Sequence, residues 1–145
     1  MYRHILIATD GSDISTHAVQ HGVDLARAVG AKVSFLTATE PFHVFSLEAD
    51  QLEDTRPEYE KHRRERAQRI LSSAGQAAKV AGISFDKIHR ESDQPSEAIM
   101  EVAEANQCDL IVMGSHGRHG LSALMLGSVT MKVLAQTRRP VLVVR

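Results

Sequence analysis

The chain has 145 residues, 43% of them hydrophobic and 24% charged, with seventeen basic side chains against eighteen acidic ones and a formal net charge of -1. That length suits one domain, 1–145, with a single buried core, while the charge balance and the scarcity of aromatics (4%, no Trp) exclude the basic excess and stacking platform of a nucleic-acid binder. No apolar run approaches the roughly 18–20 residues that span a bilayer, no secretory signal pattern opens the chain, and one cysteine, Cys108, cannot close an intramolecular disulfide, so a cytoplasmic setting with no membrane contact is expected.

Residues 3–8 predict a first strand, followed by the turn Thr9-Asp10-Gly11-Ser12-Asp13. A helix follows from about Ser15 to Val29, with Ala18, Gly22, Leu25, Ala26 and Val29 forming one apolar stripe and Gly30 as its stop. Lys32–Ala38 predicts the second strand. The stretch 40–56 reads as a long irregular excursion carrying Phe42, Phe45 and Leu47. It is either a lid or partner contact, or a variable surface loop. Pro57–Ala81 predicts a long helix, striped by Ala67, Ile70, Leu71, Ala74, Ala78 and Ala81 in its second half. Its first half is polar nearly all round, and is expected to project into solvent with Glu60–Arg64 and Glu65–Arg69 paired at i,i+4.

Ile83–Arg90 predicts a third, more polar strand near an edge, and Pro95 starts a helix with Glu97 in its first turn and Ala98, Ile99, Val102 and Ala103 buried. Asp109–Met113 is the fourth strand, wholly apolar from Leu110 onward. A last helix from Gly127 to Thr137 turns Val129, Val133 and Leu134 inward, and Pro140–Val144 closes the chain as a fifth strand. Strands alternating with helices in this way predict an α/β fold with a parallel sheet covered on both faces.

The connection after the fourth strand carries the chemistry. Gly114-Ser115-His116-Gly117 is followed, after nine residues, by Gly127-Ser128-Val129-Thr130. Glycines let backbone approach a ligand closely, and the free N–H groups of a helix start favour an anion such as phosphate. There is no Walker A lysine in this loop and no Gly-x-Gly-x-x-Gly at the first turn. The pair His17 and His21 lacks the Glu and third ligand of a zinc site, and no nucleophile–base pair marks a catalytic centre.

The pattern Gly-x2-Gly-x9-Gly-Ser resembles the nucleotide-binding signature of the universal stress protein family, in its ATP-binding branch. The first strand and turn, Ile5 to Ser12, and the last strand, Pro140 to Val144, are similar to the family's opening and close. The resemblance implies a single doubly wound, Rossmann-like five-stranded parallel sheet of order 3-2-1-4-5, with its ligand in the crevice between strands one and four. It implies a pocket for ATP or AMP, with magnesium accompanying the phosphates. Ala8, Thr9 and Ala38 would line the base side, and Met113 and Gly114 would contact base and ribose. His116 and Gly117 would meet sugar and first phosphate, and Gly127, Ser128, Val129 and Thr130 would hold the phosphates. Asp10 faces the nucleotide or a metal ion, or else caps the following helix; Arg118 is a candidate counter-charge or a solvated loop residue. The family often has His-Val where this chain has Thr37-Ala38, which makes the base-side wall smaller. The implied function is a nucleotide-dependent stress-response regulator with at most slow ATP hydrolysis; the alternatives are a true ATPase or nucleotide-transfer enzyme, and a nucleotide-free interaction module. The resemblance also implies a homodimer paired through 141–144, and a protein partner that the sequence does not name.

Overall fold

The computed structural model describes residues 1–42, 49–117 and 125–145, except for the side chains of 49–54. The elements are β1 His4–Ala8, α1 Asp13–Val29, β2 Lys32–Thr39, α2 Ala49–Ala81, β3 Phe85–Glu91, α3 Pro95–Ala105, β4 Leu110–Gly114, α4 Ser128–Gln136 and β5 Val141–Val144. The strands form one sheet of order β3-β2-β1-β4-β5, with every pairing parallel. The central strands are buried and largely apolar because helices cover both of their faces. Ile5, Ile7, Val33, Phe35 and Val112 point to the side packed by α1 and α2; Leu6, Leu36, Ile111 and Met113 point to the side packed by α3 and α4.

Local chemistry sets the ends of the elements. The Ser12 hydroxyl accepts the Ser15 N–H at 3.3 Å and caps α1. That helix stops at Gly30, whose φ of 73° only a residue without Cβ adopts readily, and the next amide, of Ala31, donates back to the Ala26 carbonyl at 2.9 Å. Pro95 opens α3. At the opposite end of the sheet, the buried His4 ring is held between the Asn106 carbonyl (Nδ1, 3.0 Å) and the Ser34 hydroxyl (Nε2, 2.7 Å). Burial pushes the Cys108 thiol up to about 11, so it packs as an inert apolar group.

Several expectations are corrected. Helix α2 begins at Ala49, not at Pro57, and Pro57 lies inside it. The residues 49–56 are mostly good helix formers with no Gly or Pro among them, and one missing N–H is tolerated in a helix of 33 residues. The irregular stretch is therefore shorter than 40–56, and Phe45 and Leu47 lie outside the described residues. The first half of α2 does not simply project into solvent, because Arg63 is buried. Among the described residues its i,i+4 ion pairs are Arg56–Glu60 and Lys61–Glu65 instead of the two expected ones. Val29 and Leu134 are exposed; on α1 the expected Ala18, Gly22 and Ala26 are buried with Leu25 packed beside them, and Ser15, Val19 and Val23 widen the buried face on its other side.

Candidate functional site

A cleft of about 870 Å³ opens beyond the C-terminal ends of β2, β1 and β4. It lies where the chain reverses its direction of winding, β1 leading to β2 on one side and β4 to β5 on the other. Leu36, Ile99 and Met113 give it an apolar floor. Ala8, Thr9 and Asp10 from β1 and its turn form one part of the wall, and Thr37 and Ala38 from β2 the next. Met113, Gly114, His116 and Gly117 arrive from β4, and Gly127, Ser128, Val129 and Thr130 from the start of α4. Twelve of the thirteen sequence-derived site residues thus line this one cleft; Arg118 lies outside the described residues.

The two marked loops interlock. The Asp10 carboxylate accepts the Ser12 N–H through Oδ1 at 2.9 Å, so Asp10 braces the residue that caps α1 and is not itself the cap. Its other oxygen, Oδ2, lies against Gly117: a Cβ there would sit only 2.6 Å from it. Gly127 is packed as closely, since a Cβ on it would lie 3.0 Å from the His116 Cα. Its N–H donates to the Ser115 carbonyl at 2.7 Å, and the Ser115 N–H donates to the Val144 carbonyl at 2.7 Å. The first service of these glycines is therefore to let the protein's own chain fold back on itself.

At the start of α4, Gly127 is the N-cap and no side chain caps the helix. The Met131 N–H is the first to bond back, to the Gly127 carbonyl at 3.0 Å. The amides of Ser128, Val129 and Thr130 come before it and have no acceptor within the helix, which makes this rim of the cleft electropositive. Ser128 is the first helical residue, not the cap. The buried Thr130 hydroxyl donates to the Gly114 carbonyl at 2.9 Å, so its proton is committed to holding β4 and α4 together, and the donor Thr130 can offer an anion is its amide.

The opposite wall comes from α2, which the sequence did not suggest. Tyr59, Arg63, Arg66 and Ile70 lie at helical spacing and line the cleft together. Arg63 is the anchor. It donates from Nη1 to the Glu40 carbonyl at 2.9 Å and from Nη2 to the Glu91 carboxylate, tying α2 to the ends of β2 and β3. Its Nε has no acceptor among the described residues. Tyr59 lies beneath the guanidinium, 5.6 Å from centroid to Cζ, and meets Phe42 edge-on at 5.2 Å. Nearby, His89 bonds Thr39 through Nε2 at 2.6 Å, and burial lowers its pKa. The available signal was the continuation of α2's inward face at three- and four-residue steps into polar residues. Lys132 on α4 also lines the cleft. Among the described residues no group of three His, Cys, Asp or Glu side chains is arranged to hold a metal ion, and no helix is long and apolar enough to cross a membrane.

Fold and cleft define a doubly wound α/β protein with a crevice at the switch of its central strands. The model of the universal stress protein family matches residues 1–145, and the chain belongs to that family. It is 35% identical over 147 residues to universal stress protein MJ0531 of Methanocaldococcus jannaschii, covering 100% of this chain and 83% of that one. The solved structure of MJ0577 from the same organism superposes with a TM-score of 0.80 at 29% identity, covering 99% of this chain and 96% of that chain. A universal stress protein solved in complex with cAMP superposes with a TM-score of 0.72 at 30% identity, covering 99% and 97% of the two chains.

Proposed function

We propose that the cleft binds an adenine nucleotide, ATP or AMP, and that the protein is a nucleotide-dependent regulatory module of the stress response. The observation that carries this reading is the pairing of an apolar floor, Leu36, Ile99 and Met113, with the amides of Ser128, Val129 and Thr130 at the rim, which have no acceptor within the helix. A flat apolar base and an anionic phosphate need those two surfaces within one crevice. The relative solved with cAMP, at 30% identity over nearly the whole chain, supports the choice of ligand class. Asp10, beside Gly117, is the protein group placed to share a magnesium ion with the phosphates, whose oxygens and water would supply its remaining ligands.

Hydrolysis is at most slow. The Ser115 hydroxyl lies 3.1 Å from His116 Nδ1, but Ser115 is buried and does not line the cleft, so this contact presents no nucleophile to a phosphate. Titration calorimetry with ATP and magnesium tests the reading: heat of binding, with thermal stabilisation, is expected. Silence at millimolar nucleotide would refute it. Turnover no greater than that of an Asp10→Ala control separates the regulator from an ATPase.

The dimer is part of the same proposal. β5 forms an edge of the sheet, and Met131, Leu134 and Leu142 are exposed on α4 and β5. Antiparallel pairing of 141–144 across a two-fold axis would cover that edge. A monomer in light scattering at micromolar concentration would count against it.

A further inference from the structure

We propose that Arg66 and Lys132 form a two-sided cationic clamp on the outer phosphates, making the cleft selective for nucleoside polyphosphates over monophosphates. This rests on the nucleotide reading above and specifies its ligand class. The reason to look for such a clamp is charge. Each further phosphate brings more negative charge to the cleft, and its buried cation, Arg63, is already held by Glu91. Three backbone amides carry only partial positive charge. A triphosphate set down beside Asp10 needs full cations within reach.

Two are placed for it, from opposite faces of the sheet. On α2, Ile70 packs onto the turn after β1, where a Cβ on Gly11 would lie 2.9 Å from Ile70 Cγ1. Arg66 stands one helical turn before Ile70 on the same face and lines the cleft. The turn beneath it carries Asp10, which touches Gly117. Arg66 is thus stationed above the junction of the two loops. On α4, Lys132 is four residues after Ser128, so it rises on the same face as the residue that opens the helix and lines the cleft as well. Both side chains are exposed, and neither makes an ion pair or hydrogen bond within the described residues, unlike Arg63 or Arg139. Charge-assisted contacts of this kind favour the ligand with more phosphate oxygens and weaken with salt.

The test is calorimetric titration of ATP, ADP and AMP, with magnesium, against the wild type, Arg66→Gln, Lys132→Gln, the double variant and Arg64→Gln. Arg64 is an exposed cation on α2 that does not line the cleft, so it controls for general charge. The wild type is expected to bind ATP at least about tenfold more tightly than AMP, and each cleft variant to weaken ATP about five- to tenfold while AMP moves less than about twofold. The double variant should hold ATP and AMP nearly alike, with Arg64→Gln unchanged. Parallel loss of ATP and AMP, unchanged ATP binding in the double variant, or an equal effect of Arg64→Gln overturns the clamp while leaving nucleotide binding intact. A wild type that binds none of the three overturns the nucleotide reading itself, and the clamp with it.

Discussion

The two long sides of the cleft are built in different ways. On the β1–β4 side the wall is backbone in close contact: Gly117 admits the Asp10 carboxylate, Gly127 admits the His116 backbone, and the loop closes through N–H hydrogen bonds to the Ser115 and Val144 carbonyls. On the α2 side the wall is long side chains, Tyr59, Arg63 and Arg66, reaching in from a helix. Close backbone contact leaves no room for an added carbon, whereas side chains that reach across a gap can rearrange or be replaced. The first side should therefore respond sterically and steeply to substitution, and the second electrostatically and gradually.

The steepest test is Gly127→Val. Its Cβ would begin 3.0 Å from the His116 Cα, and the branch adds two more carbons beside the Ser115 carbonyl. The cost should be about 2–3 kcal/mol of stability, as for overpacking in a core, with loss of nucleotide binding; chemical denaturation and titration read both. Gly117→Ala is gentler, because the atom it strikes is the end of the Asp10 side chain, 2.6 Å away. About 1–2 kcal/mol is expected for it. Adding Asp10→Ala removes the obstacle, so the double variant should be more stable than the sum of the two single effects. Strict additivity would mean that Gly117 answers to something other than Asp10.

On the other side, Arg63→Met keeps the stem of the side chain and removes the fork. The Glu40 carbonyl and Glu91 lose their donors, but Glu91 is half exposed and takes up water in exchange. The loss should be about 1–2 kcal/mol, below the 3–5 kcal/mol typical of a broken, fully buried pair. Denaturant midpoints decide between those ranges, and a value at the upper one would make the α2 wall as unyielding as the glycine wall.

The same contrast governs what the sequence discloses. Glycines at fixed spacing after an apolar strand are rare enough to mark a backbone-built wall, and Gly114, Gly117 and Gly127 do converge on one crevice. The strand order was legible too, through the family resemblance and the apolar runs 5–8 of β1 and 110–113 of β4. Arg63 was not. A buried arginine and a solvated one are the same letter, and what distinguishes this one is Glu91, 28 positions away on another element. Nor was the start of α2: proline favours a first helical turn and is disfavoured in an interior, so Pro57 marked a start that the helix in fact runs through. The bond of the Thr130 hydroxyl was hidden for a similar reason. Its partner is a main-chain carbonyl on β4, 16 positions away, and no side chain in the sequence announces that.

The smallest effect comes from pH, and it separates the cleft from the far end of the sheet. His89, bonded to Thr39 on the α2 side, and His4, between Ser34 and Asn106 at the opposite end, both have lowered pKa values. In each the first cause is burial, which disfavours the charged ring. Below the unfolded value of about 6.5 the unfolded chain therefore binds protons that the native rings resist, and stability rises with pH across that window. The contribution is intact above about pH 6.5 and is lost as the pH falls through it towards the depressed native values. His89→Gln retains a hydrogen-bonding partner for Thr39 but cannot titrate. It should remove part of the loss measured between neutral and mildly acidic pH, and His4→Gln should remove another part without altering nucleotide titrations. If His89→Gln leaves the acid limb of the stability curve unchanged, the α2 side of the cleft is insensitive to proton uptake at that ring, and the loss belongs to His4 and the carboxylates.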